Sequence, residues 1–220
     1  GTLVAAGIRE GSAGTDTSDS SIQAQRYDSN GSPLGGEFQV NAYTTGDQIV
    51  SDVAWYAPDA FVVVWASTGS ASGDTDGTSV QLQRFDESGA PLGSQFQVNT
   101  YTTSEQYAPS VAAGLEGVFV VAWHSNGGAE SDVDSYSIQV RPRFSDGNWG
   151  DPVQANSYTT AEQIRPAVAA DAQGNFVVAW SSAGSNGTDL SGRSIQARRF
   201  QLTANPIGEQ FQVNSHTEGE

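Results

Sequence analysis

The sequence of 220 residues predicts an all-β fold, a β-propeller of about four four-stranded antiparallel blades whose first blade lacks one strand. One unit recurs about every 58 residues, and each copy holds four short runs rich in Val, Ile and aromatic residues between turn-forming clusters. No segment shows a helical period with capping residues. Four short strands per repeat are typical of a propeller blade, whereas β-helix repeats are shorter and sandwiches do not repeat internally.

Four markers define the strands of a repeat, which we name A to D in chain order. The Val-Ala pair of strand A begins at Val53, Val111 and Val168. Strand B reads Phe-Val-Val-(Val/Ala)-Trp and ends at Trp65, Trp123 and Trp180, with Leu3 to Gly7 as a degraded first copy. Strand C begins at Ser21, Ser79, Ser137 and Ser194. Strand D ends at Asn41, Asn99, Asn156 and Asn214. Strand A is found three times and the others four times, so the first blade should lack it.

These markers predict a single repeat domain over residues 1–220. The expected blades span about 1–47, 48–105, 106–162 and 163–220. Strand B is apolar on both faces and should lie in the middle of packed sheets, with its tryptophans in the core.

The composition excludes several classes of partner. Asp and Glu number 25 against 9 Lys and Arg, a net charge of −16, so the basic surface that binds nucleic acid is missing. No apolar stretch is long enough to cross a membrane, and membrane insertion is not expected. Cysteine and methionine are absent, so the chain resembles a processed or excised segment and can form neither disulfides nor thiolate sites.

Antiparallel strand order predicts which end of the blades carries function. The A–B and C–D turns must share one end, and the B–C loops and the crossovers to the next blade must share the other. The A–B and C–D turns are short and have the residues of hairpin turns, whereas the B–C loops and the crossovers are longer. Because long loops on a rigid scaffold usually carry binding groups, the second end is the candidate functional face.

An aspartate occupies the same B–C loop position in every repeat: Asp16, Asp74, Asp132 and Asp189. The position two residues later holds Ser18, Asp76, Asp134 and Ser191. Oxygen ligands in a Gly- and Ser-rich loop suit Ca²⁺, and the sequence predicts calcium ligands at Asp16, Asp74, Asp76, Asp132, Asp134 and Asp189. None of these loops completes an EF-hand. The alternative is that each aspartate forms an Asx-turn by accepting a backbone N–H two residues on.

The crossovers repeat an Asn-x-Tyr-Thr-Thr pattern. Its asparagines are Asn41, Asn99 and Asn156, and its tyrosines are Tyr43, Tyr101 and Tyr158. Aromatic rings beside amide donors suit a sugar, so these six residues are the predicted glycan-binding residues. The alternative is that the pattern fixes the angle between blades and satisfies buried backbone groups.

Catalytic patterns are sparse. The two histidines, His124 and His216, occupy different repeat positions, so no histidine pair recurs. Glycosidic chemistry needs two carboxyl groups in unequal environments, and the recurring aspartates are equivalent. The sequence therefore favours binding over catalysis.

Three motifs carry a resemblance over almost the whole chain: residues 96–103 (FQVNTYTT), 176–180 (FVVAW) and 21–27 (SIQAQRY). They resemble the propeller-like repeats of large secreted bacterial surface, calcium-binding or adhesin-like proteins. The resemblance implies a secreted, extracellular or cell-surface location. The chain departs from the pattern at Gly7, where Trp is expected, and at Arg141-Pro142-Arg143.

Two functions follow. The sequence predicts a non-enzymatic binding or adhesion module of a secreted bacterial protein, calcium-stabilised and glycan-binding; the alternative is a secreted carbohydrate-active enzyme or its accessory domain. Charged residues unique to one blade would favour the enzyme, and the unique ones visible in the sequence, such as Glu130 and Arg193, do not form a recognisable pair. Expected partners are a glycan or cell-surface ligand, and further blades of a longer parent chain or a second copy, because blade one has an unpaired edge.

Overall fold

The computed structural model describes residues 1–11, 14–70, 72–115, 117–127, 135–184, 187, 189 and 192–216. Within these ranges the regular structure consists of β-strands arranged in four antiparallel sheets. We name the sheets blades I to IV. No helix that could span a membrane occurs in the part of the chain that the structure describes.

Blade I has three strands and the other blades have four, each in sequence order across its sheet. Blade I contains β1 (Leu3–Glu10), β2 (Ser20–Tyr27) and β3 (Phe38–Gln39). Blade II contains β4 (Gln48–Ala57), β5 (Ala60–Thr68), β6 (Thr78–Asp86) and β7 (Phe96–Gln97). Blade III contains β8 (Gln106–Ala113), β9 (Phe119–Asn126), β10 (Tyr136–Arg143) and β11 (Val153–Gln154). Blade IV contains β12 (Gln163–Ala170), β13 (Phe176–Ala183), β14 (Arg193–Phe200) and β15 (Phe211–Gln212). The predicted fold class, including the missing strand of the first blade, is confirmed.

The last strand of each blade pairs over only two residues, fewer than the sequence suggests. In blade I the backbone N–H of Val40 still donates to the carbonyl of Ile22 at 2.8 Å. The N–H of Ile22, however, donates to the side-chain Oδ1 of Asn41 at 2.9 Å. The asparagine side chain thus takes the place of a backbone acceptor, and the strand ends there.

The second strands of the four-stranded blades, which are the predicted strands B, supply the core between blades. In β5, Phe61, Val63 and Trp65 pack against blade I, together with Ile22. Val62 and Val64 point the other way and pack against Phe119 and Trp123 of blade III. A strand that is buried on both faces explains the continuous apolar run. Trp65, Trp123 and Trp180 are all fully buried, as the sequence predicts.

Blade IV exposes a face that the other blades bury. Val98 of blade II is fully buried, whereas its repeat equivalent Val213 is 54% exposed. Val98 is covered by the side chains of blade III, and no described sheet packs on blade IV in the same way. The same contrast separates Val62 from Val177.

The first strands of blades II to IV share an irregularity near their beginning. The register slips after Ile49, Tyr107 and Ile164. The next residue in each strand, Val50, Ala108 or Arg165, has a positive φ of 51°, 48° or 55°. A bulge of this kind re-aims side chains at a sheet edge, and here it does so at the edges where the blades meet.

Candidate functional site

The crossover asparagines connect the two predicted site patterns. In blade I, Nδ2 of Asn41 donates to Oδ2 of Asp16 at 2.7 Å and to Oε1 of Gln48 at 3.0 Å. In blade II, Asn99 makes the same bonds to Asp74 at 2.9 Å and to Gln106 at 3.0 Å. One amide therefore ties the B–C loop, the end of strand D and the start of the next blade together.

The network recurs in the remaining blades. In blade III, Asn156 accepts the N–H of Ile138 at 2.8 Å and donates to Gln163 at 3.2 Å. In blade IV, Asn214 donates to Oδ2 of Asp189 at 2.7 Å. Asn41, Asn99 and Asn156 are buried, and these bonds give them a structural role. Ligand binding by these asparagines stays a prediction.

The crossover tyrosines pack on glycines of the neighbouring blade. A Cβ atom added to Gly69 would lie 3.1 Å from the hydroxyl oxygen of Tyr43. Tyr101 lies as close to Gly127, and Tyr158 lies against Gly184. Each glycine has a positive φ, which a larger residue tolerates poorly, so the contact and the turn both favour glycine here.

Tyr43 also lines a surface pocket of about 350 Å³, which we name the crossover pocket. Gln95 also lines this pocket, and its Oε1 accepts hydrogen bonds from the backbone N–H groups of Ala42 and Tyr43 at 2.8 and 3.0 Å. Glycan contact by Tyr43, Tyr101 and Tyr158 stays a prediction. Of these three tyrosines, Tyr43 lines the crossover pocket, which has room for a ligand.

The loop aspartates differ from one another. Oδ1 of Asp16 accepts the backbone N–H and the hydroxyl of Ser18 at 3.1 and 3.0 Å, the Asx-turn that the sequence left as an alternative. Asp189 donates its backbone N–H to Gln212 at 3.1 Å. Asp74 and Asp76 lie together in the blade II loop, whereas Asp132 and Asp134 lie outside the described residues.

A second pocket lies where the first strands of blades II, III and IV meet, and we name it the inner pocket. Its volume is about 510 Å³, within the range of small-molecule sites. It lies near the starts of β4, β8 and β12, at the end of the blades that carries the crossovers. The lining comprises Val50, Ser51, Asp52, Tyr107, Ala108, Pro109, Ser110, His124, Arg165 and Pro166.

The polar residues of the inner pocket break the repeat. Asp52, His124 and Arg165 each occur in one blade only. Their repeat equivalents are Ser110 and Ala167 for Asp52, Ala66 and Ser181 for His124, and Val50 and Ala108 for Arg165. Three non-repeating polar groups thus converge on one cavity of a repetitive scaffold.

Asp52 is held by hydrogen bonds between two blades. Its Oδ1 accepts the backbone N–H of Val53 at 2.8 Å. Its Oδ2 accepts the hydroxyl of Ser110 at 3.0 Å and the N–H of Val111 at 2.9 Å. The carboxylate therefore has a fixed orientation beside the pocket.

His124 is a buried histidine between two tyrosine rings. The ring centres of Tyr107 and Tyr136 lie 5.7 and 5.1 Å from its own. Its Nδ1 faces the backbone N–H of Arg165 at 3.4 Å. Burial lowers the pKa of His124 from 6.5 to about 4, more than the nearby charges of Glu105 and Glu162 raise it. The imidazole is therefore neutral at pH 7.

The far side of His124 carries a tyrosine–glutamate pair. The hydroxyl of Tyr136 donates to Oε2 of Glu105 at 2.7 Å. This hydrogen bond, together with burial, raises the pKa of Tyr136 to about 12. Glu162 forms an ion pair with Arg193. Two glutamates with different partners thus flank the same histidine.

Sequence reasoning missed the inner pocket because it looked for chemistry that repeats. His124 has no histidine at the equivalent positions of the other repeats, and neither Asp52 nor Arg165 belongs to the Val-Ala marker of strand A. The available signal was the departure from the repeat at each position, together with the topology that brings all first strands to one place.

No protein-family model and no curated protein matches the sequence. Solved structures do match the fold. One is an α-L-arabinofuranosidase from Lactobacillus brevis, with a TM-score of 0.51 and 12% identity over 90% of this chain and 68% of the other. Another is a thermostable family-43 glycoside hydrolase, with a TM-score of 0.52 and 13% identity over 96% of this chain and 73% of the other. What the chain shares with both is the fold.

These comparisons correct the function predicted from the sequence. The non-enzymatic adhesion module is wrong, and so is the expectation that the chain is not an enzyme: the structural neighbours are glycoside hydrolases. The alternative given by the sequence, a carbohydrate-active enzyme or its accessory domain, stays a proposal. The recurring aspartates that argued for binding are not the residues of the inner pocket, where repeat symmetry is lost.

Proposed function

We propose that the chain is the propeller of a secreted carbohydrate-active enzyme, or an accessory domain of one, and that the sugar binds in the inner pocket. One observation carries the proposal: Asp52, His124 and Arg165, which occur in one blade each, converge on a cavity of a fold shared with two glycoside hydrolases. Repeat symmetry serves stability at every blade alike, whereas a catalytic centre needs different groups on different sides of one substrate.

The pocket offers the contacts that a sugar needs. The ring of Tyr107 provides an aromatic surface, and the guanidinium of Arg165 and the hydroxyl of Ser51 provide hydrogen-bond donors. Asp52 provides an acceptor with a fixed orientation. Neutral His124 adds an uncharged ring wall that does not repel the arginine.

Hydrolysis of a glycosidic bond requires an acidic carboxyl group and a second carboxylate. The candidates at this end of the blades are Asp52, Glu105 and Glu162. Glu105 accepts from Tyr136 and Glu162 pairs with Arg193, so the two glutamates differ in environment.

The experiment measures hydrolysis and binding of arabinofuranosides, beginning with 4-nitrophenyl α-L-arabinofuranoside and arabinan. Arg165→Ala and His124→Ala replace pocket residues by their repeat equivalents, Ala108 and Ala66, so the backbone should accept them. Arg199→Ala is the matched control because Arg199 is an exposed arginine at the opposite end of blade IV. Loss of hydrolysis or binding in the pocket variants but not in the control supports the proposal.

The assays of hydrolysis and binding distinguish an enzyme from an accessory domain. An enzyme loses about 10² to 10⁴ in rate when Asp52→Asn, Glu105→Gln or Glu162→Gln removes its acid or base. An accessory domain binds the sugar without cleaving it. The proposal would be overturned if the chain neither bound nor cleaved any sugar in a panel of plant and bacterial glycans.

A further inference from the structure

The B–C loop of blade II contains a buried carboxylate oxygen that the chain leaves without a hydrogen bond. Asp74 is 1% exposed, and its Oδ2 accepts from Asn99 at 2.9 Å. Its Oδ1 is buried and has no hydrogen-bond partner among the described residues. A buried charge is costly unless it is paired, so this oxygen needs a partner from outside the chain.

In blade I the corresponding oxygen has hydrogen-bond partners. There the equivalent Oδ1 of Asp16 accepts the backbone N–H and the hydroxyl of Ser18. The two carboxylates are held alike, since Asn41 and Asn99 make the same bond to Oδ2. The blade II equivalent of Ser18 is Asp76, and neither its backbone N–H nor its side chain donates to Oδ1 of Asp74.

The side chain at this position is a hydrogen-bond donor in blade I, where it is the hydroxyl of Ser18, and an acceptor in blade II, where it is the carboxylate of Asp76. In blade I the hydroxyl of Ser18 also reaches the carbonyl of Thr44 at 2.5 Å. The equivalent carbonyl in blade II belongs to Thr102. Oδ2 of Asp76 accepts the N–H of Ser104 at 3.1 Å, which places the Asp76 carboxylate against the same crossover. Blade II thus has a carboxylate where blade I has a hydroxyl, and that carboxylate lies against the crossover.

We propose that the Asp74–Asp76 loop of blade II binds a divalent cation, with Ca²⁺ as the best fit. Calcium takes six to eight oxygen ligands from carboxylates, carbonyls and water, whereas Mg²⁺ demands a stricter geometry. No group of three or more His, Cys, Asp or Glu side chains gathers in the described ranges, so carbonyls and water complete the shell. Asp76 is exposed, which leaves the site open to the ion from solvent.

The site is specific to the pair rather than to the repeated aspartate. Asp16 has its partner in Ser18, so blade I needs no cation. Of the six calcium ligands expected from the sequence, this proposal uses Asp74 and Asp76, and Asp189 stays a prediction. The proposal is independent of the inner pocket and of any enzymatic activity.

The test compares melting temperatures in calcium chloride and in EDTA at constant ionic strength. At a calcium concentration about 100 times the dissociation constant, the wild-type melting temperature should rise by about 5 to 10 °C. Asp76→Ser installs the blade I residue; it should remove the rise and leave the melting temperature in EDTA no lower than that of wild type. Asp59→Ser makes the same substitution at an exposed turn and should keep the rise.

Two further variants keep the test decisive. Asp76→Asn preserves shape and should also lose the calcium effect, so a folding failure of Asp76→Ser does not end the experiment. Ser18→Asp copies the blade II pair into blade I and should add calcium binding by isothermal titration. A wild-type chain that does not respond to calcium, or an Asp76→Ser or Asp76→Asn chain that still does, overturns the proposal.

Discussion

Oδ2 of Asp52 accepts the hydroxyl hydrogen of Ser110 at 3.0 Å, and these two residues occupy the same position in successive repeats. Ser110 in turn accepts the backbone N–H of Val168, its neighbour in the next blade, at 3.4 Å. A chain of hydrogen bonds thus runs across the first strands of blades II, III and IV and forms one wall of the inner pocket.

Asp52→Ala should destabilise the chain, because the N–H of Val111 loses its acceptor in a partly buried position. The expected cost in the free energy of unfolding is about 1 to 3 kcal/mol. Urea denaturation measures it, with exposed Asp59→Ala as the control, for which a change below about 0.5 kcal/mol is expected. Equal effects of the two substitutions would show that Asp52 does not tie the blades.

His124 should make stability depend on pH between 6.5 and 4. Its pKa is about 4 in the folded chain and near 6.5 when unfolded, so the unfolded state binds the extra proton in this range. Stability is therefore full above pH 6.5 and falls as the pH drops toward 4. The loss attributable to this group is about 3 kcal/mol.

The comparison with His124→Ala isolates this contribution, since the carboxyl groups that also titrate are common to both chains. Denaturation at pH 7 and pH 4 should give a smaller loss for the variant than for wild type. Parallel losses in the two chains would mean that the pKa of His124 is the same in the folded and the unfolded state.

Val98 and Val213 provide a matched pair for the exposed face of blade IV. Val98→Ala should cost about 2 kcal/mol, because it removes buried methyl groups and leaves a cavity. Val213→Ala should cost less than about 0.5 kcal/mol, since the side chain is already half exposed. Thermal denaturation of both variants decides the point.

A cost at Val213 equal to that at Val98 would mean that another blade covers this face in solution. The partners expected from the sequence, further blades of a longer chain or a second copy, would then be supported, and light scattering would separate the two. These partners stay predictions.

The sequence predicts the fold well because each strand marker carries its own physical signal. Val62 and Phe61 face opposite blades, and that requirement produces the apolar run of β5. The short length of the last strand in each blade was harder to predict. In blade I this strand ends where the side chain of Asn41 replaces a backbone acceptor.

The candidate site follows less directly from the sequence. Asp52, His124 and Arg165 are 113 residues apart at their extremes, and only the packing of first strands brings them together. The crossover asparagines repeat because each holds a loop, so repetition in this chain marks structure. The distinction between Asp16 and Asp74 likewise depends on one hydroxyl group two residues away.

The position of a bound sugar tests the central claim most directly. A crystal structure of the chain with an arabinofuranoside oligosaccharide should place a sugar ring in the inner pocket, against Tyr107 and within hydrogen-bond distance of Arg165 or Asp52. A sugar bound instead in the crossover pocket beside Tyr43 and Gln95, with the inner pocket holding only water, would contradict the account.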